Sequence, residues 1–302
     1  MLSLGILVFV LLAGTAVWFL NPGRPRTNDF TPARLINLAG SLRMLSQRTM
    51  KNWLMLGAGH NPDEANRQLL LSVDLFDERL LLLKRWALTP GNQYLVSRVE
   101  QAWSRFRGQV CEVPQRDRIQ ALMRECNDLL YVCDELVEAV VSQSGQREAT
   151  LVNVAGRQRM LLQRIAKNCM AMSWGLSTET VRHELLDAID LFEASLQALR
   201  NSRFNSAALN EELEMLDHEW QRGRPHCQQH CSGRCTPNEV LLVTDAVQAG
   251  MDRVTAMYQQ LMDGSSQDVS DEFVRSNLAE RPLAPGHNGQ RQQNLIHTHT
   301  VH

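Results

Sequence analysis

The stretch NLAGSLRMLSQRTMKN at residues 37–52 returns in closely similar form, as NVAGRQRMLLQRIAKN, at residues 153–168. The two stretches start 116 residues apart, and the Asp-Leu-Phe tripeptide at residues 74–76 returns at residues 190–192 with the same spacing. A fixed period that holds over so much of a chain indicates a duplicated domain. The sequence therefore predicts two copies of one fold.

Residues 37–52 are typical of a helix with two different flanks. On one flank, apolar or β-branched side chains recur at spacings of three and four, as in the core stripe of a helical bundle: Leu38, Leu42, Leu45, Thr49, Trp53 and Leu56. The other flank carries Ala39, Gly40, Arg43 and Gln47. Small residues there would let a second helix approach closely. A guanidinium beside them could offer its planar set of donors to a small planar anion.

Residues 37–48 and 153–164 resemble the P-box motif that opens the type IV pilus methyl-accepting chemotaxis transducer N-terminal domain, the PilJ-type domain. The motif is also similar to that of the periplasmic sensor domain of the NarX and NarQ nitrate/nitrite kinases. The resemblance implies antiparallel four-helix bundles, and a nitrate or nitrite site where two first helices meet. It assigns ligand binding to the first P-box arginines, Arg43 and Arg159, beside Gly40 and Gly156.

The second arginines of the motif are Arg48 and Arg164, which the resemblance adds to the ligand-binding set. At about 100° per residue, Arg48 lies roughly 140° around the helix from Arg43. We therefore expect these second arginines to have a different role, bracing each bundle through Asn37 and Asn153.

Composition excludes several classes of function. The chain has 302 residues, of which 44% are hydrophobic, and a formal net charge of −2. That charge argues against nucleic acid as a partner. No nucleophile–base pair, phosphate-binding loop or paired-carboxylate site stands out, so we expect a protein that is not an enzyme and needs no cofactor.

Residues 1–20 predict a membrane anchor, because Leu2–Leu20 is an apolar, uncharged run of roughly bilayer-spanning length. The arginines that follow it would place the bulk of the chain in the cytoplasm by the positive-inside rule. The family resemblance implies the periplasm instead. We follow the resemblance and expect a single-pass inner-membrane protein whose bulk is periplasmic.

Proline and capping residues predict an all-α chain with two tandem four-helix bundles, at residues 30–143 and 146–262. Thr31-Pro32, Asn61-Pro62 and Thr89-Pro90 each predict a helix start. Because residues 129–172 contain no proline, we expect the last helix of the first bundle to continue into the second bundle as one rod. Such a rod would stack the two bundles end to end. Residues 263–302 lack periodicity and predict a disordered tail.

Residues 226–235 predict a loop that is rich in cysteine and histidine. In an oxidising compartment, a disulfide among Cys227, Cys231, Cys235 and Cys111 is the commoner outcome for such a loop. Zinc binding and free thiols are the alternatives, and the spacing matches no zinc motif. We predict a disulfide and no metal.

These observations favour a membrane-anchored sensor protein that binds a small anion, nitrate or nitrite first. No transmitter is evident after the second repeat, so the signal would leave through an unidentified partner protein. A homodimer is compatible with the resemblance. The alternative function is an envelope scaffolding or adaptor module, of the type IV pilus or chemosensory kind, that binds no small molecule.

Overall fold

The computed structural model describes residues 30–230 and 236–279, and the described residues up to Asp263 belong to one compact unit. Within the described ranges the chain is all-α, as the sequence predicts. The helices are α1 (Pro32–Gly57), α2 (Pro62–Trp86), α3 (Pro90–Val110), α4 (Ile119–Ser144), α5 (Ala149–Ser173), α6 (Glu179–Arg200), α7 (Ala207–His230) and α8 (Pro237–Ala279). A single 3-10 turn, Arg116–Arg118, precedes α4.

Threonine caps set most of the predicted helix starts. The hydroxyls of Thr31, Thr89 and Thr178 accept hydrogen bonds from backbone N–H groups three residues later. Thr236 donates its backbone N–H to Glu239, as in a capping box. Asn61 differs from the prediction, because its φ of 44° places it in the left-handed region and its side chain makes no cap.

The predicted continuous rod between the two repeats is wrong. The helix ends at Ser144, where Gly145 adopts a φ of 65°, and the next helix begins only at Ala149. Glycine reaches this left-handed conformation at little cost, so one residue is enough to end a helix that no proline interrupts.

The predicted end-to-end stacking is also wrong, because α1 and α5, the first helices of the two repeats, pack against each other along their length. Arg43, near the middle of α1, bonds to Asn153 in the first turns of α5. At their ends, the indole ring of Trp174 lies against Gly57. Residue numbers rise together in these contacts, so the helices run parallel and the repeats lie side by side. The physical reason is the small-residue flank, which removes the side chains that would keep two helices apart.

Each repeat keeps an equivalent aromatic contact in its core. Phe76 stacks on Trp103 with ring centroids 3.9 Å apart, and Phe192 lies 4.5 Å from Trp220. All four side chains are buried. The duplication predicted from the sequence is therefore present in the packing.

The last helix extends beyond the predicted end near Met262, because α8 continues to Ala279. The first proline after Pro237 is Pro282, so no helix breaker of that kind intervenes. Residues 264–279 thus form a helix where a disordered tail was expected, while residues 280–302 lie outside the described ranges. The anchor predicted at residues 1–20 also lies outside them. Among the described helices, none is long and apolar enough to cross a membrane.

Candidate functional site

Arg43 lies in the seam between α1 and α5 with no exposed surface. Its Nη1 donates to Asp134 Oδ1 of α4 at 2.9 Å. Its Nη2 donates to Asn153 Oδ1 of α5 at 2.8 Å. One guanidinium therefore bonds to an acid of its own repeat and to an asparagine of the other repeat.

Arg159 makes the equivalent contacts from the second repeat, with an acid of its own repeat and an asparagine of the first repeat. Its Nη1 donates to Asp252 Oδ1 of α8 at 3.3 Å, and its Nη2 donates to Asn37 Oδ1 of α1 at 2.7 Å. Arg159 is also buried, with 7% of its surface exposed. The two repeats therefore exchange reciprocal arginine–asparagine bonds within one chain, as two copies do across the interface of a symmetric dimer.

The two guanidinium groups converge on Gly156. A Cβ at that position would lie 3.6 Å from Arg159 Nη2 and 3.8 Å from Arg43 Nη2. A Cβ at Gly40 would lie 3.3 Å from Arg43 Nη2. A methyl group at Gly40 would therefore crowd Arg43, and one at Gly156 would be in van der Waals contact with both guanidinium groups. The Nε atoms of Arg43 and Arg159 are buried and have no hydrogen-bond partner, so each arginine keeps unused donor capacity.

Burial lowers the pKa of both arginines, and the neighbouring carboxylates partly offset that effect. Neither guanidinium loses its charge at physiological pH, because arginine starts from so high a pKa. Asp134 and Asp252 have side chains that are 35% and 53% exposed. Solvent therefore screens the acids more than it screens the arginines. The electrostatic potential around the two buried guanidinium groups therefore stays positive.

The second motif arginines lie away from this seam. Arg48 donates to Gln68 of α2, and Arg164 Nη2 lies 3.8 Å from Glu184 of α6. The prediction that they brace the bundles through Asn37 and Asn153 is wrong, because Arg159 and Arg43 bond to those asparagines. The side chain of an arginine reaches only the neighbours on its own face of the helix.

Two buried lysines were missed by the sequence interpretation. Lys51 is 6% exposed and Lys167 is fully buried. Burial lowers the pKa of both ammonium groups. Lys51 Nζ lies 3.5 Å from Asp245 Oδ1 of α8, and Lys167 Nζ lies 3.3 Å from Asn127 Oδ1 of α4. Their recurrence 116 residues apart was the signal that could have revealed them.

Near these lysines, two positions that carry an acid in one repeat carry an amide in the other. Asn127 in the first repeat corresponds to Asp245 in the second, with the 118-residue spacing that also relates Asp134 to Asp252. Gln68 and Glu184 correspond with the 116-residue spacing. Arg48 and Lys51 therefore face the amide Gln68 and the acid Asp245. Arg164 and Lys167 face the acid Glu184 and the amide Asn127, so the acid and the amide have exchanged helices.

Two of the four cysteines considered for a disulfide lie among the described residues. Cys227 is buried on α7, which continues to His230, so the predicted loop starts later than residue 226. Cys111 is an exposed free thiol that caps the end of α3. Cys231 and Cys235 lie outside the described residues. A bond that involves either of them stays a prediction.

Comparison with known families gives one finding that covers most of the chain. Residues 31–129 and residues 140–246 each match the family described as type IV pili methyl-accepting chemotaxis transducer N-term. One match falls on each repeat, and each match begins ahead of its copy of the repeated motif. No curated protein and no solved structure gives a match to the chain.

Proposed function

We propose that this chain, which belongs to the type IV pili methyl-accepting chemotaxis transducer N-terminal family, is a sensory module that binds a small anion between its two repeats. The expected ligand is nitrate or nitrite. The family supports a sensory and signalling role. The observation that carries the anion site is the convergence of Arg43 and Arg159 on Gly156, with donors from both repeats at one point.

A planar monovalent anion fits the donors that the seam leaves available. The two Nη2 groups now donate to the neutral amide oxygens of Asn153 and Asn37. An anion in the same place would accept hydrogen bonds from the same cationic donors and would add the Coulomb attraction between opposite charges, which the neutral amide oxygens do not supply. The salt bridges to Asp134 and Asp252 would hold the arginines in position during this exchange.

Binding would couple the two repeats. Asn37 and Asn153 each bond across the seam, so an anion that displaces them changes the contacts between α1 and α5. A ligand shifts a conformational equilibrium only through a difference in affinity between two states. Here the two states would be a seam closed by asparagine and a seam closed by the anion. We further propose that residues 1–20 anchor the module in the inner membrane, that its bulk is periplasmic, and that a partner protein receives the signal.

The alternative function is a scaffolding or adaptor module without a small ligand. One observation favours it: each seam arginine already has a carboxylate and an amide partner. Such a buried polar network can fix how two repeats align without binding anything else. The two functions differ in whether an added anion interacts with the seam.

Calorimetric titration with nitrate, nitrite, sulfate and phosphate separates the two functions. The sensory proposal expects heat with nitrate or nitrite that is lost in Arg43→Gln and in Arg159→Gln. Arg164→Gln is the matched control, because Arg164 lies on the same helix as Arg159 but outside the seam, and it should keep binding. Circular dichroism should show unchanged helicity in all three variants. Absence of heat with every anion at millimolar concentration would leave the scaffolding function.

A further inference from the structure

A second candidate site lies beside the seam, in a cleft of about 360 Å³. Helices α1 and α2 of the first repeat form one side of it, and α5 and α8 of the second repeat form the other. Its lining combines both signs of charge with apolar side chains. The cations are Arg48 and Lys51, the acids include Asp245, and Met44 and Met55 contribute thioether surface.

Lys51 supplies a buried positive charge with donor capacity to spare. Its side chain is 7% exposed, and its only ion-pair partner among the described residues is Asp245, whose carboxylate oxygen lies 3.5 Å away. An ammonium group has three donors, so one long contact leaves it far from satisfied. The side chain of Asp245 is 63% exposed, so this carboxylate is itself open to another cation.

Two buried amides in the lining have hydrogen-bonding capacity that no described residue uses. Asn52 is 2% exposed, and its Nδ2 has no acceptor. Gln163 is 3% exposed, and its Oε1 has no donor. Buried polar atoms without partners are uncommon in folded proteins. A molecule that both accepts and donates hydrogen bonds could accept from Asn52 Nδ2 and donate to Gln163 Oε1.

We propose that this cleft binds a small zwitterion of the amino-acid type. Its carboxylate would accept hydrogen bonds from Lys51 and Arg48, and its ammonium group would donate to Asp245. Met44 and Met55 would pack against an apolar side chain. A simple anion would be repelled by the acid, and a simple cation would meet a buried lysine, so a molecule with both charges fits best.

The lysine at the equivalent position in the other half of the molecule is satisfied internally, although Asn168 and Gln47, which correspond to Asn52 and Gln163, also have buried atoms without partners. Lys167, which corresponds to Lys51, is fully buried and donates to Asn127. Asn127 in turn donates to Glu184 at 3.0 Å. The residue that corresponds to Asp245 is thus an asparagine, engaged between two partners. A largely exposed carboxylate beside the buried lysine is therefore particular to the cleft at Lys51, since Glu184 beside Lys167 is only 19% exposed, and its removal is the sharpest test.

The test uses the full chain and the twenty common L-amino acids, screened by thermal shift and then titrated by calorimetry. Each amino acid that binds is compared with its analogue lacking the amino group and with its analogue lacking the carboxylate. We expect at least one amino acid to bind, and both analogues to bind at least about tenfold more weakly.

Asp245→Asn should weaken that binding at least about tenfold, because it copies the asparagine found at the equivalent position. Because Asp245 is also the ion-pair partner of the buried Lys51, some loss of stability is expected, and circular dichroism must show that the variant is folded at the titration temperature. Asp74→Asn changes an exposed acid elsewhere and should bind as the unaltered chain does. The proposal is overturned if no amino acid binds, if the analogue without the amino group binds equally well, or if Asp245→Asn has no effect. None of these outcomes depends on nitrate binding at the seam.

Discussion

Gly57→Ala tests the side-by-side packing of the two repeats. An added Cβ would lie 2.1 Å from Cη2 of the Trp174 ring and 2.5 Å from its Cζ2 and Cζ3. Real Cβ atoms do not approach other atoms so closely, so the ring must leave its position. That movement also disrupts the edge-to-face contact between Trp53 and Trp174, whose ring centroids lie 5.4 Å apart.

The expected change in the free energy of unfolding for Gly57→Ala is the sum of two destabilising contributions and one stabilising contribution. Overpacking at a well-packed contact costs about 1–3 kcal/mol. Loss of an aromatic pair costs about 0.5–1.5 kcal/mol. Replacing glycine by alanine in a helix returns up to about 1 kcal/mol. We expect a net loss of roughly 1–3 kcal/mol in the free energy of unfolding, because the half-buried Trp174 ring can relax partway into solvent.

Urea denaturation followed by circular dichroism measures this loss. Gly108→Ala on α3 is the matched control, since a Cβ there would meet no atom within 4 Å, and it should be neutral or stabilising. In a Trp174→Ala background, Gly57→Ala should lose its cost. If Gly57→Ala is as stable as the unaltered chain, or if the cost survives without Trp174, the packing of α5 against α1 described above is incorrect.

Three further predictions concern charge, topology and the cysteines. Because burial lowers the pKa of Lys167 in the folded state, the unfolded chain binds more protons as pH approaches 10.5. The stability of the unaltered chain should therefore rise with pH in that range relative to Lys167→Met. An unchanged difference in urea midpoint between pH 7 and pH 10 would contradict this. Lys84→Met, which changes an exposed lysine, serves as the control. A periplasm-active reporter fused after His302 should be active, whereas activity only of a cytoplasmic reporter would reverse the proposed location. Non-reducing mass analysis of protein from its native compartment should find a disulfide that involves Cys231 or Cys235, and zinc at one per chain, lost on chelation, would contradict that.

Local sequence signals predicted the helices well. Threonine followed by proline marked the starts of α1 and α3, because a side-chain cap and a preset φ act within a few residues. The 116-residue period predicted the duplicated core, and Phe76 and Phe192 do occupy matching positions. The small-residue flank also correctly predicted close approach of a second helix.

The relative placement of the repeats could not be predicted in the same way. It depends on the left-handed conformation of Gly145, which the absence of proline does not reveal. The partners of the seam arginines were also missed, because Asp134 and Asp252 lie on other helices and recur with a spacing of 118 rather than 116 residues. Lys51 and Lys167 looked like ordinary surface lysines, since burial is a property of the packed repeats and not of one helix.

The number of nitrate ions bound by a monomeric chain distinguishes one anion site shared by the two repeats from two separate sites. Calorimetry on protein shown to be monomeric by sedimentation should give one nitrate per chain. Arg43→Gln and Arg159→Gln should each abolish that same site, because both guanidinium groups lie beside Gly156. Two nitrate ions per chain, each lost in only one of the variants, or binding that survives both substitutions, would contradict a single site shared by the two repeats.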